Sequence, residues 1–449
     1  MIHTDKEPAI KVGIMKSGLI TFELYGDYKT SGSQNYLSGR FTAEVSGNKI
    51  ICKKGNEKLE FGEVVEFQPR DLGTDTFLIR DVIIGSQFHW ERKEKQRFIG
   101  ALTLQVINGS IQIINTLPLE KYLTSVISSE MSARSSIQFL KAHAVVSRSW
   151  VLAQIEKTWK KKPDKEAPPK EQKSSEILKW YNREDHENFD VCSDDHCQRY
   201  QGITKIVTET AIQAVNQTYG IVLVSENNIC DTRYSKACGG ITESFENTWE
   251  PVHHPYLSSI IDYKFEPDAY TLDFSREENA KKWINGSPAA YCNTREKKVL
   301  AQILNDYDQE TINFYRWEVE YTQSELSTIL KEKTGIDFGE ILDIIPLKRG
   351  ASSRLIKIEI KGTKNSLVAG KELEIRRILA KTHLYSSAFI VYKQNVVNGI
   401  PSSFILKGAG WGHGVGLCQI GAAVMAMKGF QFDEILLHYF SGARLLKLY

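Results

Sequence analysis

Five glycines occupy every second position from Gly408 to Gly416 in the stretch GAGWGHGVGLCQIGA. No other feature of the 449-residue chain restricts its fold so tightly. In an extended segment this spacing strips one face bare, while Ala409, Trp411, His413 and Val415 project from the other. The bare face predicts close contact with another backbone or a flat ligand. Trp411 offers a platform for the apolar face of a sugar, and His413 a proton donor or acceptor. A glycine-rich closure against a helix fits the same residues, although glycines are conformationally costly to keep for packing alone. A second close-approach signal is Gly239-Gly240, with Ser235, Thr242 and Glu243 around it.

The periodicity upstream predicts an α+β fold: a mixed, multi-element chain with a β-rich N-terminal part and a helix-containing catalytic core. Short β-branched and aromatic runs such as IKVGIM, LITFELYG, RFTAEVSG and FLIRDVII are punctuated by Gly, Asn, Asp and Ser, as strands and hairpins are. The pattern then turns helical. Leu119, Tyr122, Leu123, Val126 and Ile127 fall on one face, with Pro118 placed for a first turn. A longer helix carries Ile137, Leu140, Ala144, Val151, Leu152 and Ile155. The division expected is a β-rich region over 1–95 and a second domain over 96–449, with a flexible Lys/Pro-rich insertion at 157–179.

Composition excludes several classes. Lys plus Arg number 57 against 55 Asp plus Glu, a formal charge of +2 that lacks the basic excess of a nucleic-acid binder. The insertion alone carries more than that excess, so attraction of a substrate has to be local. No apolar run approaches the roughly 18 residues of a membrane span. The first residues show no basic segment followed by the apolar stretch of a secretory signal. The sequence therefore reads as a chain that stays inside or that begins at a mature or engineered start.

Three groups carry possible chemistry. Glu130 lies at the end of the first helix, where the negative end of the helix dipole and burial between helices favour a protonated carboxyl suited to general-acid work. A solvated linker glutamate suits the same position. Arg148 falls in the middle of an apolar stripe and needs a partner, either a structural acid or Glu130 or a substrate group. His186, Cys192, His196 and Cys197 place two imidazoles and two thiols within twelve residues, a donor set for tetrahedral zinc. A disulfide or buried free thiols would also fit, with Cys230 and Cys238 as competing partners, though seven cysteines cannot all pair.

Several blocks in order then resemble the family of stage II sporulation protein D and the amidase enhancers. They are LPLEKYLTSVISSEMS with KAHAVVSRSW, DDHCQRYQG, YSKACGGITESFENTW, and GAGWGHGVGLCQIGA with DEILLHYFSGARL. The resemblance covers about residue 97 to 449. It implies peptidoglycan glycan strands as substrate and lytic transglycosylation as activity, with Glu130 as the acid/base. It also implies a groove lined by Arg148, Tyr234, Ser235, Gly240, Trp411, His413 and Gln419, and a structural zinc on the His/Cys quartet. The alternative it carries is a noncatalytic peptidoglycan-binding partner of a cell-wall amidase. The substrate implies the cell envelope. Cys238 and Cys418 depart from the pattern, standing where small polar residues are more usual.

Overall fold

The structure, a computed structural model, describes residues 6–84, 92–132, 135–160, 176–180, 186–194, 196–205, 208–265, 270, 272–301, 303 and 311–449. It is α+β. An 11-stranded sheet takes in the N-terminal strands from Ala9–Ser17 to Ser110–Pro118 and one later strand, Val191–Cys192. The last pairs in parallel beside Ala9–Ser17, Val12 against Val191 and Gly13 against Cys192. Alternation along Leu19–Thr30 puts Ile20, Phe22 and Leu24 inside, as a half-buried strand requires. Residue 95 lies within the strand Arg92–Ile99, and one buried cluster runs across it from Ile10 to Phe440.

Helix α1 (Leu119–Glu130) follows the sheet directly, with Pro118 as its N-cap residue rather than within the first turn. Helix α2 (Ile137–Lys160) is buried continuously from Ala142 to Glu156, so it is a central helix and not an amphipathic one. Around it pack α1, helix α3 (Glu209–Gln217), the helix Phe432–Tyr439 and the strand Ile221–Ser225. Several of its polar side chains are committed within this core. Ser149 Oγ, for example, accepts the Leu223 N–H at 2.9 Å and donates to Val145 O at 2.7 Å.

Two short sheets join distant parts of the chain. Ile221–Ser225 pairs antiparallel with Arg444–Lys447, and Tyr234–Ser235 pairs in parallel with Leu417–Cys418. Between them a large segment forms its own core from Trp317, Leu326, Ile358, Ile375, Phe404 and neighbouring apolar residues. Ends of the expected 157–179 insertion are regular: α2 runs on to Lys160, and Glu176–Leu178 pairs in parallel with Ser366–Gly370. Residues 161–175 of that expectation lie outside the described residues. No described helix is long and apolar enough to cross a membrane.

Candidate active site and metal centre

Glu130 is the last residue of α1, and Met131 behind it is already extended. Its half-buried carboxylate receives two donors on the same oxygen. The Arg199 N–H reaches Oε1 at 3.0 Å, and the Tyr234 hydroxyl reaches it at 3.4 Å. The edge of the Tyr234 ring meets His143 of α2, with centroids 4.6 Å apart. The His143 Nδ1 lies 3.3 Å from Ser147 Oγ, one helical turn on. The Gln419 amide nitrogen faces His143 Nε2 at 3.2 Å. Burial pushes the His143 imidazole down to about 4, with Glu130 opposing and Lys236 assisting. The ring is therefore neutral, and an acceptor at Nε2 suits the Gln419 amide.

His413 joins this row from the glycine-rich segment. Its Nδ1 accepts the Val415 N–H at 3.0 Å, which fixes the neutral tautomer with its proton on Nε2. Desolvation, then Arg233, Arg376 and Arg354, hold its pKa well below the usual imidazole range, while a hydrogen bond with the Tyr234 backbone opposes them. Ser235 Oγ is buried and, among the described residues, meets no hydrogen-bond partner. Glu130, Tyr234, Ser235, His413 and Gln419 are thus brought together.

The structure places the other three expected groove residues against protein partners. Arg148 has no exposed side-chain surface, and its fork belongs to Glu120, with Nε to Oε1 at 2.8 Å and Nη2 to Oε2 at 2.6 Å. Its Nη1 donates to Ile221 O at 3.0 Å, so the group is a structural pair facing away from any groove. Gly240 is a packing position: a Cβ there would come within 2.8 Å of the Trp283 ring. Trp411 lies stacked on Tyr385 at 3.9 Å, with Phe314 beside it at 4.9 Å, so one face of the expected sugar platform is already covered.

The glycine-rich segment does lie flush against another backbone, though not as a regular strand. The strand Ser403–Ala409 ends before it, and Gly410, Gly412, Gly414 and Gly416 all take positive φ, between 73° and 95°. Side chains there would strike the facing chain: a Cβ on Gly410 falls 2.8 Å from Ala237 O, and one on Gly416 falls 2.2 Å from Arg233 O. Beneath Gly414 lies the guanidinium of Arg354, which donates to Cys238 O at 3.1 Å and Gly412 O at 3.3 Å. Neither Arg354 nor His143 stood out in the sequence. His143 had one faint signal, a histidine on a helix with a serine four residues on.

The His/Cys quartet converges as its spacing suggests. One donor atom each from His186, Cys192, His196 and Cys197 lies within 4.8 Å of all the others. His186 Nε2 is 3.3 Å from Cys197 Sγ, and His196 Nδ1 is 3.6 Å from the same sulfur. Hydrogen bonding from Cys197, then from the two imidazoles, lowers the Cys192 thiol, against burial. Two thiols and two neutral-capable imidazoles at this spacing fit a tetrahedral divalent ion. The quartet also bears on Glu130, since Arg199 follows Cys197 by two residues.

Residues 107–224 match the family described as stage II sporulation protein. That stretch is similar to the stage II sporulation protein family. The chain is 24% identical over 341 residues to stage II sporulation protein D of Bacillus amyloliquefaciens, covering 76% of this chain and 78% of that one. It is 24% identical over 341 residues to the amidase enhancer of Bacillus subtilis, with 72% of this chain but only 40% of the enhancer covered. An uncharacterized protein of Brachyspira hyodysenteriae is 26% identical over 345 residues, 77% of this chain and 71% of that protein. Residues 243–416 match a family described only as a domain of unknown function. The stage II sporulation protein domain as matched contains Glu130, His143 and the quartet. Tyr234 and Gln419 lie beyond it, on either side of the second domain, which supplies Arg354.

Proposed function

We propose that this protein is a lytic transglycosylase of peptidoglycan glycan strands, with Glu130 as its single acid/base. One observation carries the reading: among the described residues both donors to the Glu130 carboxylate sit on Oε1, which fixes its orientation, and none sits on Oε2, the oxygen this reading assigns to proton transfer. In the acid step its proton passes to the glycosidic oxygen between N-acetylmuramic acid and N-acetylglucosamine as that oxygen parts from muramic C1. The muramic C6 hydroxyl oxygen bonds to C1, and its proton passes to Glu130, closing a 1,6-anhydro ring and restoring the acid. No water enters, so no second carboxylate is required to activate one.

Tyr234, Ser235, His413 and Gln419 line the groove in this reading. His413 presents a neutral ring held at Nδ1 by the Val415 N–H, and among the described residues the Ser235 hydroxyl has no protein hydrogen-bond partner. His186, Cys192, His196 and Cys197 would hold a structural zinc, whose four protein ligands leave no open position for substrate. Its part is to fix the loop that presents the Arg199 N–H.

The test is mass spectrometry of purified glycan strands incubated with the chain alone. Wild type is expected to release 1,6-anhydro products, and Glu130→Gln to release none while keeping its fold. Undiminished product from that variant would refute the assignment. A second reading, a noncatalytic peptidoglycan-binding stimulator of a cell-wall amidase, is favoured by the similarity to the amidase enhancer. Wild type that yields no anhydro product yet accelerates an amidase would select it.

A further inference from the structure

Away from Glu130, one dry cluster has no part in the chemistry above. Cys238, Asp262, Cys292 and Cys418 are buried, the last three with no exposed surface. One donor atom of each lies within 4.8 Å of all the others. The sulfurs are met by backbone donors: the Cys238 N–H reaches Cys418 Sγ at 3.2 Å, and the Gly240 N–H reaches Cys238 Sγ at 3.4 Å. Asp262 accepts the Cys292 N–H on Oδ2 at 2.9 Å and the Tyr439 hydroxyl on Oδ1 at 2.5 Å. Gly421 makes room for this pair, since a Cβ there would fall 2.4 Å from Asp262 Oδ1.

Asp262 has no exposed surface, so a cation beside it would offset the cost of burying its charged form; among the described residues no lysine or arginine forms a salt bridge with it. Three sulfurs and one oxygen are a donor set for a tetrahedral d10 cation. The Cys238 and Cys292 sulfurs are 3.7 Å apart, which is the edge of a tetrahedron with Zn–S bonds of about 2.3 Å. A disulfide would bring them to about 2.05 Å. Tyr439 and the backbone N–H groups stand where outer partners orient the ligands of a metal.

We propose that Cys238, Asp262, Cys292 and Cys418 form a second, structural zinc site. Four protein ligands close it, so it does no chemistry on substrate. Its position assigns its task. Cys238 precedes and Cys418 follows the 243–416 domain, while Asp262 and Cys292 lie inside it. One ion thus ties both junctions of that domain to the core that holds Tyr234 and Gln419. The site is independent of the transglycosylase reading and of the His/Cys quartet.

The test counts metal in the full chain, reduced, supplied with zinc chloride, desalted and measured by inductively coupled plasma and native mass spectrometry. The Cys192→Ser/Cys197→Ser variant, which dismantles the quartet, is expected to keep one zinc per chain. Adding Cys292→Ser should take it to none. A double variant that retains no zinc overturns the proposal, and so does a non-reduced chain carrying a Cys238–Cys292 disulfide. Equal zinc in wild type and double variant would count against the quartet instead. Should a variant fail to fold, anomalous scattering at the zinc edge from wild-type crystals decides: density between the four donors supports the site, and its absence overturns it.

Discussion

Removing the Glu120 carboxylate while Arg148 stays in place is the perturbation this core should tolerate least. Glu120→Leu strips the guanidinium of two short charge-assisted bonds and leaves only the Ile221 carbonyl at 3.0 Å. Breaking a buried ion pair from one side costs about 3–5 kcal/mol. The Glu120 side chain keeps 7% of its exposure, which admits some water and favours the lower end, about 3 kcal/mol. Arg148→Met alone should cost less, roughly 2 kcal/mol, because the Gly220 N–H and the Tyr449 hydroxyl still satisfy Glu120. Combining Glu120→Leu with Arg148→Met removes both charges and should recover much of the loss, leaving about 1–2 kcal/mol for the stranded Ile221 carbonyl and Tyr449 hydroxyl. The assay is guanidinium unfolding followed by tryptophan fluorescence, with hydrogen exchange along α2 reporting that part of the core directly. A Glu120→Leu chain within about 1 kcal/mol of wild type, or a double variant as costly as the sum of the singles, would refute the reasoning.

Tyr234→Phe deletes the long 3.4 Å bond to Glu130 and should lower turnover roughly fivefold, about 1 kcal/mol; a loss beyond a hundredfold would mean that Tyr234 does more than position the acid. His143 binds a proton only near pH 4 in the fold, against about 6.5 unfolded, so the unfolded chain takes up the proton first. Stability is then full above about pH 6.5 and falls as pH drops toward 4, by at most about 1.4 kcal/mol per pH unit from this residue. His383 and His438, also pushed to about 4 by burial, steepen the fall. Denaturation midpoints at pH 7 and pH 5 should converge in His143→Gln, and an unchanged difference would exclude His143 as a source. Cys197→Ser should speed hydrogen exchange at the Arg199 amide and reduce activity together; activity lost with that amide still protected would separate the quartet from Glu130.

Elements with strong local periodicity were legible. The reading of α1 through Glu130 and the strand runs LITFELYG and RFTAEVSG match the structure. The strands Glu57–Phe61 and Arg92–Ile99 went unread, since they are rich in charge and present few apolar residues to any pattern. The convergence of the quartet was readable because its four side chains fall within twelve residues of sequence. Arg148 was read as needing a partner, but nothing local points to Glu120, one element back and 28 residues away. The Arg199 N–H is invisible to side-chain reasoning altogether. Asp262 and Cys292 lie far from Cys238 and Cys418 in sequence, so only the folded chain could bring them together.

The parallel pairing of Tyr234–Ser235 with Leu417–Cys418 has a consequence for the order of synthesis. Apart from Val191–Cys192, the strands of the N-terminal sheet are all made by residue 118 and can pair while the ribosome is still at work. The edge that carries Tyr234 cannot, because its partner is made some 180 residues later, after the whole 243–416 domain. Until then Glu130 has no assembled neighbourhood on that side. A nascent or truncated chain would therefore hold Glu130 but not the residues that pack beside it, which arrive only at the close of translation.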